Sequence, residues 1–195
     1  MTAAEPSFTV MLVGDDDLFQ RAEPQLQASS SLLGIGSVAA DDAVATALGR
    51  APDVAVIADP PGTGGPSAVE VTHRIGTALA ACRVLVVDRG GSTGPDELID
   101  AGVGGVVPLD GTDLAAAIEQ LIFGEAVLDQ ALAAAVLERH RAGRSPVALS
   151  PTEDEVITRL AAGATVDALA EQYAVSPRLV RLHAGGALAR LHPWG

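Results

Sequence analysis

The chain has 195 residues, room for one large domain or two modest ones, and 48% of them are hydrophobic, enough to bury a core. No apolar run approaches the roughly 18–20 residues of a membrane span, and a single cysteine, Cys82, excludes an internal disulfide framework and reads as a small buried hydrophobe. The net charge of −13 argues against a general nucleic-acid coat, because phosphate neutralisation supplies most non-specific affinity. The opening Met-Thr-Ala-Ala-Glu-Pro carries an early acid and no basic stretch, so it is not read as a secretory signal, and a cytoplasmic protein is expected. The distribution of charge says more than its sum. Residues 1–144 hold 8 arginines and 20 acids, residues 145–195 hold 4 arginines and 5 acids, and from Ser176 onward there are three arginines and no acid. All basic side chains other than histidine are arginine.

In chain order, Phe8–Val13 is a short apolar run suited to a strand buried on both faces. A helix over Leu18–Ala28 follows despite Pro24, then an apolar stretch at Leu33–Val38 and a helix at Asp41–Leu48 with Asp41 as N-cap. Val54–Ala58 reads as the third strand. The alternation continues with helix Ser67–Leu79, strand Arg83–Val87, helix Pro95–Ala101, strand Gly105–Val107 and helix Thr112–Phe123. Five strands alternating with five helices predict a parallel sheet covered on both faces. Folds of that kind place functional groups outside the carboxyl ends of their strands.

Asp129–Arg141 has good helix propensity, and Ala-Gly-Arg-Ser-Pro-Val-Ala at 142–148 reads as a linker. From Leu149 the pattern is purely helical. Ser150 as N-cap, Pro151 at the first helical position and Glu153 at the third form a strong start signature for a helix that stops at Gly163. A second helix begins after Thr165 and runs to Tyr173. A third begins after Ser176, again with proline at its first position, and carries Leu179, Val180, Leu182, Leu188 and Leu191. The turn of about three residues between the last two is the spacing of a helix-turn-helix.

The segments Leu149-Ser-Pro-Thr-Glu-Asp-Glu-Val-Ile157, Gly163-Ala-Thr165, Leu169-Ala-Glu171, Val175-Ser176, Val180-Arg-Leu-His183 and Leu188-Ala-Arg-Leu191 together resemble the LuxR-type domain at the C-terminus of NarL/FixJ-like response regulators. The resemblance runs for about 43 residues without a gap and implies double-stranded DNA as partner. Chemistry points the same way: Arg178 and Arg181 lie three apart, so they share a face of the third helix, and their forks suit guanine or phosphate. Thr165 and Ser176 offer hydroxyls and helix-end amides to phosphates, Arg190 is a candidate phosphate contact, and His183 matches a histidine of the family. Gly185-Gly186 depart from a good helix at ~1 kcal/mol each, which predicts a recognition helix that is mobile until ordered by DNA or a partner. Family members also continue past the position of Leu191 into a fourth short helix that supports dimerisation, where this sequence reads His-Pro-Trp-Gly.

Residues 8–123 resemble the receiver domain of response regulators, which implies a flavodoxin-like five-stranded sheet of order 2-1-3-4-5. A working receiver has an acidic pair after strand one that holds Mg²⁺, a phosphorylatable Asp ending strand three, a hydroxyl ending strand four and a lysine ending strand five. Here Gly14 takes the first acidic place and Asp15 the second; Ala58 falls at the acceptor, with Asp59 one residue late and therefore on the other side of the strand. Asp88 stands for the hydroxyl and Leu109 for the lysine. Four departures together predict a receiver that phosphorylation does not switch, with Asp15, Asp16 and Asp59 as a vestigial acidic pocket or, more simply, as loop acids that cap helices. Pro60–Pro66 lacks the Gly-Lys-Ser/Thr end of a P-loop, and His73, His140, His183 and His192 show no metal-ligand spacing with Cys82, so no metal or cofactor is expected.

The expected organisation is a receiver-like domain at 1–125, a linker helix and loop at 126–148, and a helix-turn-helix domain at 149–195. The expected function is a DNA-binding regulator, not an enzyme, that forms a homodimer or answers to a protein or small-molecule effector. Two alternatives stand beside it: an interaction module whose helix-turn-helix serves protein contacts, and a conventional regulator phosphorylated on Asp59.

Overall fold

The computed structural model describes residues 8–59, 65–90, 93–145 and 147–191. The first seven residues, most of the glycine-rich 60–66 loop and His-Pro-Trp-Gly at 192–195 lie outside the described residues. Strands β1 (Phe8–Val13), β2 (Leu32–Val38), β3 (Val54–Asp59), β4 (Arg83–Asp88) and β5 (Gly105–Pro108) form one sheet, parallel as the alternation predicts and in the order 2-1-3-4-5 that the resemblance implies. Every residue of β3 is buried, which is why it reads as an unbroken apolar run rather than as an alternating one. Helices α1 (Asp16–Ala28) and α5 (Leu114–Ile122) cover Val10, Leu12, Val56 and Ala58 on one side of the sheet. On the other side α2 (Ala43–Arg50), α3 (Ala68–Ala78) and α4 (Pro95–Ala101) cover Met11, Val13, Ala55 and Ile57.

Cap chemistry sets where the helices begin. Asp15 accepts from the Leu18 amide and starts α1 two residues ahead of the predicted position, while Pro24 is accommodated on the exposed side of that helix. Asp41 does not cap α2: Ala40–Asp42 form a 3₁₀ turn that leads into the helix, so a backbone turn does the work predicted for the side chain.

Helix α6 (Gln130–Arg141), capped by Asp129, buries Leu132, Ala133, Val136 and Leu137. Its Arg139, 8% exposed, forks between Asp96 and Asp100 of α4 and also donates to the Asp96 carbonyl. On its other flank Gln130 donates to the Ala161 carbonyl at the end of α7 (Pro151–Ala161), and His140 Nε2 lies 2.9 Å from the Ala187 carbonyl of α9 (Pro177–Ala189). The apolar core behind β1, β3 and β4 therefore continues through α6 into Val156, Ile157 and Leu160 of α7, Leu169 of α8 (Val166–Tyr173), and Val180, Ala184 and Leu188 of α9.

Candidate nucleic-acid interface

The last three helices are built by local signals that the sequence carries openly. Ser150 accepts from the Glu153 amide while the Glu153 carboxylate accepts from the Ser150 amide, the reciprocal capping box, with Pro151 where its missing N–H costs nothing. Thr165 caps α8 through the Ala168 amide and Ser176 caps α9 through the Leu179 amide. Between α8 and α9 lies a three-residue turn, Ala174–Ser176, entered with Ala174 at φ 51°. These are the parts of a helix-turn-helix, with α9 as its second helix.

One face of α9 is buried through Val180, Ala184, Ala187 and Leu188. Arg178, Arg181, Leu182 and Gly185 lie on other faces, and that side of the helix meets the segment after α5. Arg178 and Arg181 both pair with Glu125: Arg178 Nε lies 3.1 Å from Oε1 and Arg181 Nε 2.7 Å from Oε2. Glu125 is only 6% exposed, so its charge depends on these two guanidiniums for compensation. The Arg178 guanidinium also sits 5.4 Å from the Phe123 ring centroid, and Phe123 meets Phe8 edge-on. Backbone joins in, as the Ala126 amide donates to the Arg181 carbonyl at 3.0 Å.

The paired glycines have a packing reason. A Cβ on Gly185 would overlap the Gly124 carbonyl oxygen, and one on Gly186 would stand 2.6 Å from Glu153 Oε1. Gly185 lets α9 touch the backbone after α5, and Gly186 makes room for the carboxylate of the capping box. Helix α9 runs continuously through both positions.

The other expected contacts are distributed as follows. Arg190 closes α9 and donates to Glu153 Oε1 from Nε and Nη2, at 3.3 and 3.1 Å. Burial pushes the Glu153 carboxyl up, but the Ser150 amide, the Ser150 hydroxyl and Arg190 outweigh it and hold the group below the ordinary glutamate value. His183 is half-buried and lines an apolar groove with Tyr173, Val175 and Leu179. The hydroxyls of Thr165 and Ser176 serve as cap acceptors. Sequence reasoning missed Glu125, Arg89 and Arg139; only Glu125 left a trace, as a lone acid between Phe123-Gly124 and Ala126-Val127-Leu128.

At the opposite end of the sheet, Asp15, Asp16 and Asp59 stand in different settings. Asp15 caps α1, Asp16 is exposed on its first turn, and Asp59 is buried at the end of β3 in register with Asp88. Ala58 belongs to the α1 side of the core, close enough to Gly14 that a Cβ there would sit 3.0 Å from its own. The side chain of Arg89, 15% exposed, enters this region, and its Nη1 donates to both Asp15 oxygens at 2.8 and 2.9 Å. The residues present do not fit the Mg²⁺ that a receiver fold implies. Asp15 is committed to Arg89, and among the described residues no three His, Cys, Asp or Glu side chains converge as a metal would require.

No protein-family profile matches the chain, and no curated protein matches it in sequence. Solved structures do match in fold. The response regulator ChrA of a heme-sensing two-component system is 21% identical, over 91% of this chain and 86% of that one, with a TM-score of 0.54. RcsB from Salmonella enterica serovar Typhimurium, solved bound to a promoter in the presence of the phosphomimetic BeF3-, is 21% identical over 95% and 92%, with a TM-score of 0.54. A LuxR-family two-component response regulator from Aurantimonas sp. is 22% identical over 65% of this chain and 96% of that one, at 0.55. The chain thus shares with these proteins its fold, a five-stranded parallel α/β sheet followed by a helical C-terminal unit. No helix among the described residues is long and apolar enough to cross a membrane.

Proposed function

We propose that this chain is a transcription regulator of the response-regulator type, which binds double-stranded DNA through α9 and acts without aspartyl phosphorylation. The observation that carries the reading is the charge of α9. Its first turns present Arg178 and Arg181 with no acid from Ser176 onward, and both arginines are held by Glu125, a carboxylate contributed from the receiver side. A phosphate oxygen or a guanine edge offers the same guanidinium forks an equivalent partner. DNA binding then requires α9 to exchange Glu125 for DNA, and the input that favours exchange is a protein or small-molecule effector, or the amount of protein. Thr165, Ser176 and His183 are proposed as flanking contacts. The protein is proposed to work as a homodimer on paired half-sites in the cytoplasm, with no catalytic role.

Selection of genomic fragments followed by fluorescence anisotropy at stated salt tests this. Arg178→Ala and Arg181→Ala are expected to weaken selected-site binding roughly ten- to hundredfold each, and Glu125→Gln to strengthen it severalfold by releasing both forks. Absence of sequence-selective binding near physiological salt in both wild type and Glu125→Gln would overturn the proposal. A stable phosphoryl adduct after phosphodonor treatment, lost in Asp59→Ala, would overturn its second half.

A further inference from the structure

We infer that Arg89 is the resident counter-ion of the acidic pocket at the carboxyl ends of β1 and β4, its guanidinium taking the place of a divalent cation. The inference deepens the phosphorylation-independent part of the proposed function and rests on it. Arg89 follows the last residue of β4, and its amide donates to the Asp59 carbonyl at 3.0 Å, which fixes where the side chain departs. From there the guanidinium meets both oxygens of Asp15 and comes within 3.8 Å of Asp17. Arg21 binds Asp17 from the other side at 3.1 Å and reaches Asp110 at 2.6 Å.

The groups alternate in sign along a chain of contacts: Asp110, Arg21, Asp17, Arg89, Asp15. A guanidinium stays protonated throughout the physiological range, so this neutralisation is permanent, unlike that of an exchangeable ion. A metal entering on Asp15 would have to displace the Arg89 guanidinium from both carboxylate oxygens. The same pair ties the end of β4 to the first turn of α1, whose N-cap is Asp15 itself. Burial pushes the Asp15 carboxyl up, but the bond from Arg89 and the Leu18 amide outweigh it, so Asp15 stays ionised below the ordinary aspartate value.

The test is Mn²⁺ titration of the full chain, read by the electron paramagnetic resonance of free Mn²⁺, with wild type, Arg89→Ser, Arg89→Lys and Arg89→Ser/Asp15→Asn. Wild type and Arg89→Lys are expected to take up no Mn²⁺ that depends on Asp15. Arg89→Ser is expected to gain a weak uptake that depends on Asp15, absent from wild type and lost in the double variant. NMR titration should show the Asp15 carboxyl moving up in Arg89→Ser. Asp15-dependent uptake by wild type overturns the inference, as does a folded Arg89→Ser with neither gain nor moved titration. Should Arg89→Ser fail to fold, wild type and Arg89→Lys decide by the same criterion, since uptake in either that Asp15→Asn abolishes overturns it and refusal by both upholds it. No DNA enters the measurement, so its failure leaves the DNA-binding proposal standing, and loss of that proposal leaves this result intact.

Discussion

Glu153 shows how one side chain can serve both a helix start and a helix end. Its carboxylate accepts from the Ser150 amide at the beginning of α7 and from Arg190 at the end of α9, and Gly186 leaves the space it occupies. Arg190 therefore has a structural partner of its own within the helical unit, unlike Arg178 and Arg181, whose carboxylate comes from outside it. The expected consequence is a split. Arg190→Ala should lower stability with little effect on DNA affinity, and Glu153→Ala should cost about 1–2 kcal/mol in urea unfolding, the scale of a lost cap. Because the folded Glu153 carboxyl is held below its ordinary value of 4.5, its contribution is fully present above that pH and is lost as the pH falls through the folded value. The stability gap between wild type and Glu153→Gln should accordingly be constant near neutrality and shrink below about pH 4.5. A gap that grows on acidification would contradict the assignment.

Among the elements, α9 carries two conflicting demands. Glycine inside a helix is unfavourable by ~1 kcal/mol relative to alanine, yet at position 185 only glycine clears the Gly124 carbonyl. Gly185→Ala should therefore strengthen α9 itself while disturbing its seat against Gly124 and Ala126. The expected outcome is retained helix content by circular dichroism together with tighter DNA binding, in the same direction as Glu125→Gln. Unchanged affinity would mean that the seat does not govern access. The start of α9 was legible in the sequence because Ser176 and Pro177 act within one turn, and the strands of a parallel sheet followed from apolar runs of the right length and spacing, whereas their order came only with the resemblance. Asp41 misled, since an acid ahead of an apolar run looks the same whether its side chain or a 3₁₀ turn leads into the helix. The partners of Arg89, Arg139, Arg178 and Arg181 were not legible, because ion pairs between distant segments leave no periodic trace. The glycine pair was visible, but its meaning depends on what lies opposite.

Over the whole molecule, the acidic charge and the arginine-bearing end are brought together rather than kept apart. The apolar core that begins behind the sheet passes through α6 into the helix-turn-helix, and Arg139 binds α6 to α4, so the two ends of the chain are held by a packed helix and not only by a tether. Between them remains a cleft of about 670 Å³, bordered by Cys82, Leu121, Glu125, Leu182, Gly185 and Leu188. Cys82 is 8% exposed, and burial pushes its thiol up to about 11, so it should alkylate slowly while α9 is seated. It is the one cysteine in the chain, which makes its modification an unambiguous reporter of the cleft. If α9 must leave Glu125 to reach DNA, iodoacetamide labelling of Cys82, followed by intact mass, should accelerate about tenfold or more in Glu125→Gln. It should accelerate likewise when wild type is saturated with a selected DNA site. Equal rates with and without DNA would mean that the cleft stays closed in the complex, and that a face other than the Arg178–Arg181 face meets the DNA.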